Sequence, residues 1–391
     1  MFHGRDGENR SPDVGLLTSW PEGGPKLLWK TDDIGEKTSG YSNVTIQGDR
    51  LFLSGSRNGQ SLVFCFDLDG KKLWEYDNGP VWTKSYPGAR SSPTIDGKFV
   101  YDFSSVGELV CLDIEKGERI WSRNILTDFE AENVTWALAE SVRIDGDRLY
   151  CSPGGPKASF AALDKRTGET IWTTPSLGEK TGYASPIIFE QNGLRMIATM
   201  YAKGVFGIEA ATGRLLFTFR HEQKFDINCT RPIYCDGHLF ITNVTTPSGA
   251  GAVKLKLSVT DGNVSLEEVW RNRQLDNLQD GVMLLDGFLY GPSYGYKGGT
   301  FVCVDWTTGE TRYENKDVGK GSLTWAEGLI YFLSEKGDVL LIRPNPEKYD
   351  VVSRFQLPEE GEGPTWAHPV VCGKRLYFRH GAFLYCYDIA R

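Results

Sequence analysis

The sequence predicts an all-β protein: an eight-bladed β-propeller of four-stranded antiparallel blades, closed by an N-terminal strand that completes the last blade. Three observations carry this. One segment recurs in five near-copies, such as Val110-Cys-Leu-Asp-Ile-Glu-Lys-Gly-Glu-Arg-Ile-Trp121 and Ala161-Ala-Leu-Asp-Lys-Arg-Thr-Gly-Glu-Thr-Ile-Trp172. A hairpin signal precedes each copy. The two ends of the chain carry complementary fragments of the same unit.

The copies begin at Phe64, Val110, Ala161, Phe206 and Val302. Each reads as a strand ending in Asp or Glu, a turn holding Gly, and a second strand ending in an aromatic. The acidic side chain accepts hydrogen bonds from the turn's backbone N–H groups, and Gly supplies the positive φ the turn needs. The aromatic then fills the space between neighbouring sheets. Asp113, Gly117 and Trp121, Asp164, Gly168 and Trp172, and Trp29 are therefore expected to be structural.

Ahead of the copies stand Ser92-Pro-Thr-Ile-Asp-Gly97, Ser141-Val-Arg-Ile-Asp-Gly146, Pro232-Ile-Tyr-Cys-Asp-Gly237 and Met283-Leu-Leu-Asp-Gly287, each followed by an aromatic-rich strand. Asp-Gly between alternating strands marks a tight hairpin. Each unit is thus four strands, A to D. Units start near Tyr41, Arg90, Ala139, Tyr183, Cys229, Asp280, Gly321 and Trp366. The last stops at Tyr385-Cys-Tyr-Asp388 without a D strand, while Pro25-Lys-Leu-Leu-Trp29-Lys is a D strand without its A, B and C. Joining the two closes the ring and protects both edges. A seven-bladed ring would leave Trp29 and Asp388 unexplained. Residues 1–24 read as an N-terminal extension and 25–391 as one propeller domain.

Composition narrows the function. The chain has 391 residues and a net charge of −8, with no Lys/Arg stripe, so a nucleic-acid partner is not expected. No apolar run approaches the ~20 residues of a membrane helix. Met1-Phe-His-Gly4 has neither a basic nor an apolar leader, so the expected location is periplasmic or exported with a leader removed, or else cytoplasmic. Cys65, Cys111, Cys303 and Cys386 each lie two residues before a repeat Asp and read as buried hydrophobes. No His or Cys spacing suggests a metal site, and Asp67-Leu-Asp69-Gly70 reads as a β-turn rather than a calcium loop.

The spacing Asp-x-x-x-Gly-x-x-x-Trp in Asp113–Trp121 and Asp164–Trp172 resembles the tryptophan-docking repeat of quinoprotein alcohol dehydrogenases and PQQ-like propellers, over essentially the whole chain from Pro25. The segment from Phe2 to Pro25 resembles the start of a bacterial group of PQQ-binding-like repeat proteins. The resemblance implies one of two things. Quinoproteins hold pyrroloquinoline quinone (PQQ) with calcium, commonly beside an adjacent Cys-Cys pair; the outer-membrane assembly branch has the same blades and no cofactor. No two cysteines are adjacent here. The expectation is a non-catalytic binding or scaffolding propeller for a protein or carbohydrate ligand, monomeric and without cofactor. The alternative is a PQQ/calcium-dependent oxidoreductase of an alcohol or sugar.

Strand A should line the central channel. Its first row is Tyr41, Arg90, Ala139, Tyr183, Cys229, Asp280, Gly321 and Trp366; its second is Asn43, Ser92, Ser141, Ser185, Arg231, Val282, Leu323 and His368. Candidate ligand-binding residues are Arg90, Arg231, His368, Asp280, Glu140, Tyr41, Tyr183 and Trp366, with Trp82, Tyr86, Trp136 and Trp325 from entering loops. Aromatics and arginines around a concave mouth suit an anionic or sugar-like ligand; in the competing reading they fill and rigidify the ring. No nucleophile–His–acid motif is present, so no catalytic residue is assigned.

Overall fold

The computed structural model describes residues 9–36, 40–223, 225, 227–244, 251–279, 281–294 and 299–391. They form eight antiparallel sheets around a channel, seven of four strands and one with a fifth. Blade 2 gives the pattern from channel to rim: Thr94–Asp96, Phe99–Phe103, Glu108–Asp113 and Arg119–Asn124. Its B and C strands are apolar and buried along their length, whereas D is half exposed. Neighbouring blades cover both faces of the inner strands, so these read as continuous apolar runs rather than alternating ones. Cys65, Cys111, Cys303 and Cys386 are fully buried thiols in such strands.

The blades meet at repeated seams. In the C–D turns of blades 1, 2, 3 and 6 an Asp carboxylate caps backbone donors: Asp113 Oδ1 accepts from Glu115 N and Lys116 N at 2.9 and 3.0 Å, and Asp164 Oδ1 from Arg166 N and Thr167 N at 2.7 and 3.1 Å. Asp67 does the same for Asp69 N and Lys71 N, which makes Asp67–Gly70 a turn. The tryptophan of one blade lies flat on the turn glycine of the next. A Cβ on Gly117 would stand 2.6 Å from Trp74, and one on Gly168 2.7 Å from Trp121. Each indole then donates across the seam: Trp29 to Leu68 O, Trp74 to Ile114 O and Trp121 to Lys165 O, at 2.8, 3.1 and 3.0 Å. Trp172 Nε1 is buried without an acceptor; Arg148 and Tyr150 occupy the Ala210 carbonyl.

A β-bulge recurs beside these contacts. In all eight blades the C–D pairing skips one D-strand residue, for example Ile120 between Arg119 and Trp121, and Leu28 between Leu27 and Trp29. A bulge re-aims the following side chain. Here it swings the aromatic into the seam and leaves the skipped residue outside; Leu73, Ile120, Ile171 and Val269 are each more than 40% exposed.

The ring closes as expected. Lys26–Thr31 pairs antiparallel with Phe383–Asp388, placing Trp29 against Cys386 and Lys26 against Asp388. The N-terminal extension has two further roles that the repeats do not announce. Arg10–Ser11 pairs in parallel with Trp325–Ala326, adding a strand on the channel side of blade 7. Trp20 then fills the seam between blades 7 and 8, edge-on to Tyr331 and Phe355 at 5.6 and 5.7 Å. Blade 7 carries Ser353 where the others carry an aromatic, and Ser353 Oγ accepts from Trp20 N at 2.8 Å.

Candidate functional site

Strand A of each blade is preceded by an extended segment facing the channel mouth. The residue four positions before the regular strand is Tyr41, Arg90, Ala139, Tyr183, Cys229, Gln279 or Trp366 in seven blades; by hairpin register it is Lys320 in blade 7. These eight residues, one per blade, line a single cavity of about 560 Å³. That volume falls in the ordinary range of small-molecule sites.

Six of these were expected from the sequence. In blades 6 and 7 the register differs by one residue, so Gln279 and Lys320 stand where Asp280 and Gly321 were expected. The cause is the hairpin. In blade 2 Asp96 ends the strand and Gly97-Lys98 turns, but in blade 6 Asp286-Gly287 is itself the turn, with φ of 48° and 83°. Counting back from the turn therefore slips one place, and in blade 7 alternation turns Leu323 away from the channel. Leu323 is consequently in the core between blades. Asp280 lies outside the described residues.

The second row acts as a belt. His368 N donates to Asn43 Oδ1, Asn43 N to Ser92 Oγ, Ser92 N to Ser141 Oγ and Ser141 N to Ser185 Oγ, the last three at 2.9 to 3.0 Å. Each side chain thus satisfies the preceding blade's buried backbone N–H, fastening blades 8, 1, 2, 3 and 4 around the channel. Arg231, His368 and Glu140 separate here. His368 lines the cavity, with its two ring nitrogens 3.0 and 3.3 Å from the carbonyl oxygens of Gln279 and Leu323. Arg231 is buried and off the lining. Glu140 is buried behind the wall, neither oxygen has a well-formed hydrogen bond, and burial pushes its carboxyl up to about 8.

The aromatic side of the cavity is a cage. Trp366 sits between Tyr41 and Tyr86, at 4.6 and 4.9 Å, with the rings tilted by 40° and 44°. Tyr86 holds a left-handed φ of 53°, costly for a bulky side chain and common where a loop is shaped for function. Arg90 fastens that loop: Nη2 donates to Tyr86 O at 2.5 Å and Ser85 O at 3.3 Å, and the guanidinium lies 5.5 Å from the Tyr41 ring centre. Tyr183 OH accepts from Trp136 N at 3.3 Å, and both residues line the cavity. Trp82 does not; its indole donates to Ser85 O in its own loop. Trp325 lies toward the other end of strand A, under Arg10.

The charges are uneven. Arg90 and Lys320 line the cavity and neither has a carboxylate partner among the described residues; burial lowers the Arg90 pKa. Lys320 Nζ rests 3.5 Å from the Tyr294 ring centre. Glu335 is the sole carboxylate on the described lining, and its Oε1 already accepts from Trp366 Nε1 at 2.7 Å and from Gln279 Nε2. Glu335 and Tyr294 lie in or beside B–C connections, which share the mouth with the start of strand A but carry no repeat signal. By contrast the acidic rim 128–132 is neutralised, with Asp128, Glu130 and Glu132 paired to Arg123, Lys157 and Lys180 at 2.6, 3.0 and 3.1 Å.

Calcium-held PQQ requires clustered oxygen donors. Among the described residues no three His, Cys, Asp or Glu side chains converge, and Glu335 is engaged by two N–H donors. The described lining therefore does not fit that group.

A sequence profile of the family described as outer membrane protein assembly factor BamB matches residues 12–155 and 156–291. The outer membrane protein assembly factor BamB of Kangiella koreensis is 22% identical over 211 residues, 51% of this chain and 49% of that protein. The 1-butanol dehydrogenase (quinone) of Thauera butanivorans is 24% identical over 181 residues, 44% of this chain and 28% of that protein. The chain thus matches about half the length of the first relative and less of the second. In three dimensions the crystal structure of BamB from Moraxella catarrhalis superposes with a TM-score of 0.61 at 18% identity, covering 89% of this chain and 94% of that one. At such identity the likeness concerns the fold.

Proposed function

The chain belongs to the outer membrane protein assembly factor BamB family, and from that premise we propose that it is a non-catalytic binding scaffold, exported to the periplasm, that captures a ligand at its channel mouth. One observation carries the reading. The mouth gathers one residue from each of eight otherwise repeating blades, seven residue types in all, into one cavity with an aromatic cage and two cations that have no carboxylate partner among the described residues. The described lining offers no nucleophile–base pair and no calcium donor set, which weighs against the quinoprotein alternative.

The test is a titration with PQQ and calcium, followed by absorbance and by dye-linked oxidation of ethanol and glucose. The expected result is no saturable spectral change and no dye reduction. Saturation accompanied by dye reduction overturns the scaffold reading. On the binding side, Trp366→Ala should abolish ligand-induced fluorescence changes while leaving the melting temperature within a few degrees of the parent protein. A large fall in melting temperature would assign the cage to ring stability instead.

A further inference from the structure

We propose that the ligand taken at the channel mouth is an acidic sugar, a uronate-type ring whose carboxylate is held by Lys320 and whose face packs against the Tyr41–Trp366–Tyr86 cage. The inference rests on the preceding reading that the mouth is a ligand site, and it names the ligand's chemistry.

Charge is the first ground. The chain as a whole carries −8, yet the described lining holds two cations without carboxylate partners and one carboxylate occupied by two N–H donors. An anion supplies the partner that Lys320 lacks on the described lining, and Arg90 adds positive potential to the same cavity. The acidic remainder of the surface disfavours a polyacidic peptide or nucleic acid, whose charge extends far beyond two cations.

Shape is the second ground. About 560 Å³ holds a compact ligand of one or two rings. The three cage rings are mutually tilted, by 40° and 44° about Trp366, so they leave no parallel slot for a flat aromatic acid. A puckered sugar ring presents C–H groups in several directions and suits tilted faces. Gln279 and Ser92 on the same lining offer partners for hydroxyls.

The experiment is a fluorescence titration of the full chain with galacturonate and glucuronate, using galactose and glucose as uncharged matches. A uronate should saturate the signal and bind at least about tenfold tighter than its neutral match. Lys320→Gln should weaken uronate binding by about fivefold or more, with Lys116→Gln, an equal charge change on the exposed rim, as the inert control. Lys320 is the primary variant because Arg90 also holds the Tyr86 loop. Added salt should weaken the uronate and spare the neutral sugar. Equal affinity for charged and neutral sugars, no saturation by either uronate, or an unaffected Lys320→Gln each overturns the proposal. Tighter binding of benzoate or a glutamate-rich peptide overturns the sugar assignment while the mouth remains a ligand site. Failure of that broader reading is read separately, in the PQQ titration and the Trp366→Ala variant.

Discussion

The outer seams and the channel mouth are built by the same eight blades under opposite rules. At the seams, one contact recurs: tryptophan on the next blade's glycine, an indole N–H on its carbonyl, an Asp capping the turn. At the mouth, the equivalent position is Tyr, Arg, Ala, Tyr, Cys, Gln, Lys and Trp in turn. Repetition serves the ring because every blade has the same neighbour problem. Diversity serves a cavity because a ligand is not eightfold symmetric. Energy and recognition are therefore separable here, and substitutions can test how cleanly.

The largest effect belongs to the seam. Trp121→Ala removes a ring packed on Gly168 together with its bond to Lys165 O, and should lower unfolding stability by about 4 kcal/mol, read as a lower urea midpoint. Ligand affinity of the folded variant should be unchanged; a parallel loss would show that seam and mouth are coupled.

Next is a pH effect from behind the wall. Burial raises the Glu140 carboxyl from 4.5 in the unfolded chain to about 8 in the folded one. The folded state therefore holds the extra proton between those values, and its contribution is full below about pH 4.5 and lost as pH rises through 8. Stability should fall across this window by a few kcal/mol. Asp102, raised by burial to about 6, adds a smaller fall at the lower end. Glu140→Gln should flatten most of the slope in denaturation curves taken at successive pH values; an unchanged slope would show that another group titrates.

A smaller effect tests the belt. Ser92→Ala leaves Asn43 N and Nδ2 without their acceptor and should cost about 2 kcal/mol, again in the urea midpoint. Smallest is Lys320→Gln, which should move stability by less than about 0.5 kcal/mol while changing what the mouth binds. If it destabilised as much as Ser92→Ala, the lysine would belong to the architecture.

The fold was legible for the reason the seams are regular. A contact made many times leaves its residues in the sequence many times, so Asp113, Gly117 and Trp121 announced a blade, and Trp29 with Asp388 announced the closure. The mouth was only partly legible because its members share position and, Tyr41 and Tyr183 aside, no identity. Arg90, Tyr41, Tyr183 and Trp366 were reached by counting from the hairpins. Gln279 and Lys320 were missed: in blades 6 and 7 the mouth residue stands seven places before the turn acid, Asp286 or Glu327, and not six as before Asp96; blade 5, whose Asp236-Gly237 turns likewise, was read with the longer spacing and Cys229 was reached. Glu335 and Tyr294 come from connections without any motif. Trp20 was invisible as a seam residue because it replaces a repeat element from outside the repeats.

The pairing of Lys26–Thr31 with Phe383–Asp388 also sets a schedule for biosynthesis. The ribosome delivers the first of these strands before any blade exists, and its partner only after seven blades have been made. Through that interval Trp29 has neither its sheet nor the Leu68 carbonyl in a finished seam. Blades can form one after another, but the ring becomes a ring in a single late event. A circular permutant that joins the two strands through a short turn would make that event local, and should fold faster to the same structure.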